Sequence, residues 1–238
     1  EDHSKAGRFG VFVPRLQKYQ RIIKAVFEKY DIPFIINEGW PLEDEPAAAI
    51  FLAFLSFLKS PSPRGFSELV YNFPLEAFTR IKKAFPPAEL YNQISMSHIF
   101  DGPADPEKIA ADYSAYRESV SLNNDGPSLL YMLDFAADLL KRTAVLKRAG
   151  FDDISAFLDK LKAFLAGSGF RPPAELKNLK VYAFMFAKAE EFCANFSAWN
   201  DPGMQFDECV SILAGALKAV RVPSNFMTYG LTNELEDE

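Results

Sequence analysis

The chain has 238 residues, 49% of them hydrophobic and 24% charged, with 23 phenylalanines and a formal net charge of −6. That is enough apolar material for one large core or two small ones. The acidic balance excludes a generally basic nucleic-acid binder, because phosphate neutralisation supplies most non-specific affinity, so any DNA contact needs a local basic strip.

In chain order, Val11 to Val13 form an apolar run bounded by Gly10 and Pro14, the mark of a short strand. Leu16, Tyr19, Ile22, Ile23, Val26, Phe27 and Tyr30 then recur at three and four residues, which predicts an amphipathic helix with this face inward. Ile32 to Ile36 predicts a second short strand. A strand, a helix and a strand joined this tightly favour a parallel pair with a right-handed crossover. Two strands bury little, so the unit must pack on something further. Glu43, Asp44 and Glu45 precede Pro46, where acids and a first-turn proline suit a helix start. Ala47 to Leu58 is apolar on nearly all sides and must be surrounded by neighbours.

Lys59 to Gly65 reads as a break, with two prolines and a glycine. Helices are expected over Ser67 to Asn72, Leu75 to Phe85, Ala88 to Met96 and Pro106 to Leu122, the last with Asp105 as its N-cap. The clearest helix has Leu129, Met132, Leu133, Ala136, Leu139, Leu140, Thr143 and Leu146 on one face and an i,i+4 pair of Asp138 with Arg142. Asp152 and Asp153 restart a helix to Ala166, with Ile154, Phe157, Leu158, Leu161 and Leu165 inward. Gly167 to Pro173 reads as a turn between packed helices. Leu179, Tyr182, Phe186, Ala189, Cys193 and Phe196 then share a seam, and a last helix runs from Phe206 to Val220. Phe226 to Gly230 suits a short strand before an acidic end at Glu234 to Glu238.

Little of this carries chemistry. No glycine is followed by the Lys-Ser or Lys-Thr of a phosphate-binding loop, so ATP hydrolysis by this chain is not expected. His3 and His98 lack Cys or His at metal spacing, so no metal site is expected, and His98 suits a surface or capping role. Glu175 and Lys177 have the spacing of a nuclease motif but stand at a helix start without a partner carboxylate, and chance explains them. No catalytic residue is assigned, and no cofactor is expected. Cys193 and Cys209 are too few for a disulfide framework and are expected to be reduced and buried. The polar start, Glu1 to Ser4, and the lack of a long apolar run lead us to expect a cytoplasmic location and no membrane partner. Two basic groups remain as candidate nucleic-acid contacts: Arg15, Lys18, Arg21 and Lys24 on the first helix, and Lys141, Arg142, Lys147 and Arg148 near the end of the long one. The plain alternative for both is a solvated helix face.

The residues VFVP, the helix that follows, DIPFIINEGWPLEDEP and the apolar helix after it resemble the second motor-like domain of UvrD/RecB-type helicases. They correspond to the place where a helical 2B subdomain is inserted into 2A. The likeness is closest to the AddB/RexB group of bacterial helicase-nuclease subunits; it covers residues 9–58 and, more loosely, FSELVYNFPL at Phe66 to Leu75. The resemblance implies a mainly α fold, a multi-helix subdomain inserted into a small α/β, partially Rossmann-like unit. Residues 1–40 would be the 2A-like unit, 41–220 the helical 2B-like subdomain and 221–238 the returning segment. It also implies DNA as a partner through a parent protein, a possible partner subunit, and a non-catalytic role in double-strand break processing. The rival from another class is a self-contained helical protein-interaction module, which the acidic balance favours.

Overall fold

The computed structural model describes residues 16–32, 39–101, 111, 113, 114, 116–118, 127–171, 176–196 and 203–223, and these are mainly helical. The chain divides into two compact units, one of Glu1–Trp40 with Arg221–Glu238 and one of Pro41–Val220.

The larger unit opens with a 3-10 turn, Leu42–Asp44, and then α2 (Pro46–Lys59), which follows α1 (Leu16–Lys29) of the smaller unit in sequence. Pro46 takes the first helical turn, where its missing N–H costs nothing. Glu45 is the N-cap and is wholly buried, but its side chain makes no capping bond, so what the acids give this helix start is their favourable interaction with its dipole. Ala47, Ala48, Phe51, Phe54, Leu55, Phe57 and Leu58 are buried, as a helix apolar on nearly all sides requires. They are covered by α3 (Pro63–Asn72), α8 (Leu176–Phe196) and α9 (Phe206–Ala219), with α2 at the centre.

Helix α3 starts earlier than its apolar period indicates, inside the expected break. Ser62 Oγ accepts from the Gly65 amide at 3.1 Å, and Pro63 occupies the first turn, so the residues that look like a linker form a capped helix start. Helices α4 (Glu76–Ala84) and α5 (Pro87–Met96) pack on α3, and α6 (Pro127–Arg148) packs on α4 and α9. All eight residues expected on the inner face of α6 are buried, and Thr143 satisfies its hydroxyl by donating to the Leu139 carbonyl at 2.8 Å. Asp153 caps α7 (Ile154–Gly167), its Oδ1 accepting from the Ala156 amide at 2.7 Å. The seam of α8 begins at Val181 and Tyr182 and runs through Met185, Ala189 and Cys193; Leu179, in the first turns, is exposed, contrary to expectation. Short antiparallel bridges, Leu75 with Phe170 and Phe151 with Met204, pin the connections between these helices.

Phenylalanine fills the gaps. Phe54 stacks on Phe73 at 4.3 Å, Phe73 meets Phe170 at 5.4 Å, and Phe170 meets Tyr182 edge-on at 5.4 Å, a chain of rings linking α2, α3 and α8. A second chain runs from Phe66 through Phe78 to Phe135, and a third from Phe151 through Phe157 to Phe206. Edge-to-face and offset contacts of this kind add about 0.5–1.5 kcal/mol each beyond area burial.

The smaller unit contains α1 (Leu16–Lys29) and a two-stranded sheet of β1 (Trp40–Pro41) with β2 (Arg221–Val222). The pairing of β1 with β2 is not among the expected strands, since two residues per strand are too few to show a period. The expected strands at Val11 to Val13 and Phe226 to Gly230, most of that at Ile32 to Ile36, and the acidic end lie outside the described residues. The expectation for α1 is corrected in part: Ile22 at 62% and Tyr30 at 63% exposure, with Tyr19 and Val26, are exposed, while Ile23 and Phe27 are half-buried. The described strands of this unit are too short to cover a helix of 14 residues.

Gly39 is required where it stands. Its φ is +67°, and a Cβ there would sit 2.4 Å from the Val222 carbonyl oxygen. Gly39→Ala is expected to destabilise by at least about 1–2 kcal/mol from the left-handed backbone alone, read as a lower urea midpoint. An unchanged midpoint would show that the β1–β2 pairing contributes nothing to stability.

Candidate nucleic-acid interface

The first basic group is partly placed. Arg15 lies outside the described residues, and the side chain of Lys18 is not described. Arg21 is exposed, whereas Lys24 is half-buried with its ammonium 4.7 Å from the centre of the Trp40 ring. Trp40 is itself buried, so it serves packing and offers no face to a base. Trp199 lies outside the described residues.

The second group does not form one patch. Seven residues make nearly two helical turns, so Lys141 and Arg148 fall on one side of α6 while Arg142 and Lys147 point elsewhere. Arg142 pairs with Asp138 at 2.8 Å, the expected i,i+4 contact, and its Nη1 donates to the Gly167 carbonyl at 2.7 Å. Lys147 donates to the Lys59 carbonyl and lies over the Phe206 ring, tying the end of α6 to the end of α2 and to α9. These two side chains are engaged in holding helices together. Arg148 is exposed and Lys141 half-exposed, on one side of the helix.

A further cationic cluster escaped the sequence reading. Arg80, Lys82 and Lys83 on α4 are exposed, and no carboxylate lies within ion-pair distance of them among the described residues. Arg80 stacks on Tyr131 at 4.0 Å and Lys82 lies over Tyr71 at 5.7 Å. The available signal was the run of Lys82 and Lys83 in the last turn of a short helix, a pattern that ordinarily reflects the helix dipole.

His98 follows the C-terminal end of α5 with φ +54°, and its Nδ1 is 2.6 Å from Asp101 Oδ2, both side chains exposed. This is a capping turn. Both cysteines are buried, and burial pushes each thiol up to about 11. Tyr113 is pushed up to about 12, first by burial and then by the hydrogen bond it donates to Asp134. Tyr182 is raised by burial alone. Among the described residues no group of three or more His, Cys, Asp or Glu side chains is placed to hold a metal ion, and no helix is long and apolar enough to cross a membrane.

No protein-family model, curated protein or solved structure matches the chain.

Proposed function

We propose that the chain is a non-catalytic, helicase-like piece of a bacterial DNA-repair helicase-nuclease of the AddB/RexB kind. In this reading its helical unit positions DNA and packs against a motor domain or partner subunit during double-strand break processing. The observation that carries the reading is the division of the chain: residues from both ends belong to one small unit, and the helices of Pro41–Val220 lie between them in sequence. That is the order of an inserted subdomain, and it accompanies the likeness of residues 9–58 to the insertion point of a UvrD/RecB-type 2A domain. The finer fold, a partial Rossmann-like unit carrying the insertion, is part of the same proposal, with nucleotide hydrolysis and any nuclease centre supplied elsewhere in the parent.

A second reading has its own support. Arg142 and Lys147 are engaged by the carbonyls of Gly167 and Lys59, and the net charge of −6 opposes DNA, which favours a helical protein-interaction module. Binding of the full chain to a forked DNA without terminal phosphates, titrated with salt, separates the two. The repair reading expects binding at about 20–50 mM salt that weakens steeply on salt addition, with loss on replacing Lys141 and Arg148 together by alanine. Absence of binding at the lowest salt supports the interaction module instead.

A further inference from the structure

The wall of α4 places apolar and cationic side chains in one line. Leu75, Phe78, Thr79, Lys82 and Lys83 recur at three and four residues and so share a side of the helix. They line an open cleft of about 560 Å³ whose other wall is Val70 to Pro74, at the end of α3. That volume falls within the roughly 300–1,000 Å³ of small-molecule sites. The floor is buried and apolar, from Val70, Phe73 and Phe78, while the rim toward the end of α4 carries two ammonium groups.

The chemistry along the cleft is graded. Lys82 Nζ donates one proton to the Tyr71 carbonyl at 3.2 Å, which holds it across the cleft and leaves two donors. Lys83 is exposed, and neither lysine has a carboxylate within ion-pair distance among the described residues. The Tyr71 hydroxyl donates to the Phe85 carbonyl, which anchors that ring as part of the wall. The bland account, two lysines answering the dipole of a helix end, needs only about half a charge. Two full charges beside a hydroxyl, an anchored ring and an apolar floor exceed it.

We infer that this cleft binds a phosphate monoester carried on a planar ring, of mononucleotide size. The phosphate sits at Lys82 and Lys83 near the Thr79 hydroxyl, and the ring lies along Tyr71 and Pro74. The same chemistry occurs in a free mononucleotide and at the 5′-phosphate end of a single strand. None of these residues enters the forked-DNA reading above, so the two stand or fall separately.

The test is calorimetric titration of the full chain at low salt with thymidine 5′-monophosphate, inorganic phosphate and a 5′-phosphorylated oligothymidylate. The nucleotide is expected to saturate one site and to bind about tenfold more tightly than inorganic phosphate, since stacking of one base is worth about 1–3 kcal/mol. Lys83→Ala, at an exposed position, is expected to weaken binding about tenfold, because one charge-assisted hydrogen bond to the phosphate is lost. Lys218→Ala, at an exposed position on α9 outside the cleft, leaves it unchanged. A tighter oligonucleotide assigns the site to a strand end and equal affinities assign it to the free nucleotide, each upholding the site. No saturable binding, equal affinity for nucleotide and inorganic phosphate, or affinity undiminished in Lys83→Ala overturns it.

Discussion

Phe54→Ala is expected to lower the unfolding free energy by about 3–5 kcal/mol, the cost of removing a buried aromatic ring and leaving a cavity. The ring lies at the middle of α2 with 1% of its surface exposed. It stacks on Phe73 at 4.3 Å and tilts against Phe51 and Phe164, each at 6.3 Å. Its loss therefore opens the junction of three helices, α2, the end of α3 and α7, none of which has a spare large side chain to refill the space. Phe54→Leu keeps most of the volume and is expected to cost less than half as much. Urea denaturation of the full chain followed by far-ultraviolet circular dichroism reads both. A loss below about 1 kcal/mol for Phe54→Ala would show that α2 is not the central helix of this unit.

Stability is expected to fall above pH 9. The thiols of Cys193 and Cys209 are raised from 9.0 to about 11, the Tyr113 phenol from 10.0 to about 12, and Tyr182 is raised by burial. Each of these acids is neutral when protonated, so the fold favours the protonated form. In the unfolded chain the thiols ionise near their ordinary value, and between about pH 9 and 11 the unfolded state binds fewer protons than the native one. The slope of unfolding free energy with pH is then negative: the contribution is whole below pH 9 and is lost as pH rises toward 11. At 1.36 kcal/mol per pH unit, two units correspond to roughly 2–3 kcal/mol for each thiol. Unfolding curves at pH 8, 9, 10 and 11 measure the loss, and replacing both cysteines by alanine should remove the thiol part of it. A profile flat to pH 11 in the parent chain would mean that both thiols ionise freely in the native state. The same burial predicts that neither thiol reacts with a soluble disulfide reagent at pH 8 until the helices separate.

The long helices described in the larger unit were legible because their apolar residues repeat with the helical period over many turns, whereas most of the helix expected over Pro106 to Leu122 lies outside the described residues. On α6 and α7 every residue expected inward is buried. The start of α3 was not legible, because Ser62, Pro63 and Gly65 are as suited to a turn as to a capped helix, and the choice rests on where the helix packs. The pairing of Trp40–Pro41 with Arg221–Val222 joins residues about 180 apart, and nothing local marks it. Of the candidate site, residue types and helical positions were legible, but their occupancy was not. Nothing in the sequence around Arg142 or Lys147 announces that the carbonyls of Gly167 and Lys59 will accept hydrogen bonds from them.

By itself the amino-acid sequence determined that this chain folds mainly as helices, which faces of α6 and α7 turn inward, and that both cysteines are buried. These properties depend on periodicity and hydrophobicity, which act over a few turns of one segment. Only the tertiary structure decided that α2 stands at the centre of its unit, that Tyr19, Ile22, Val26 and Tyr30 of α1 are left exposed, and that Lys82 and Lys83 share a cleft with Tyr71 and Phe78. The reason is that covering a surface, or bringing charges to one side of a cleft, depends on which distant segments arrive beside it, and that is a property of the packed chain.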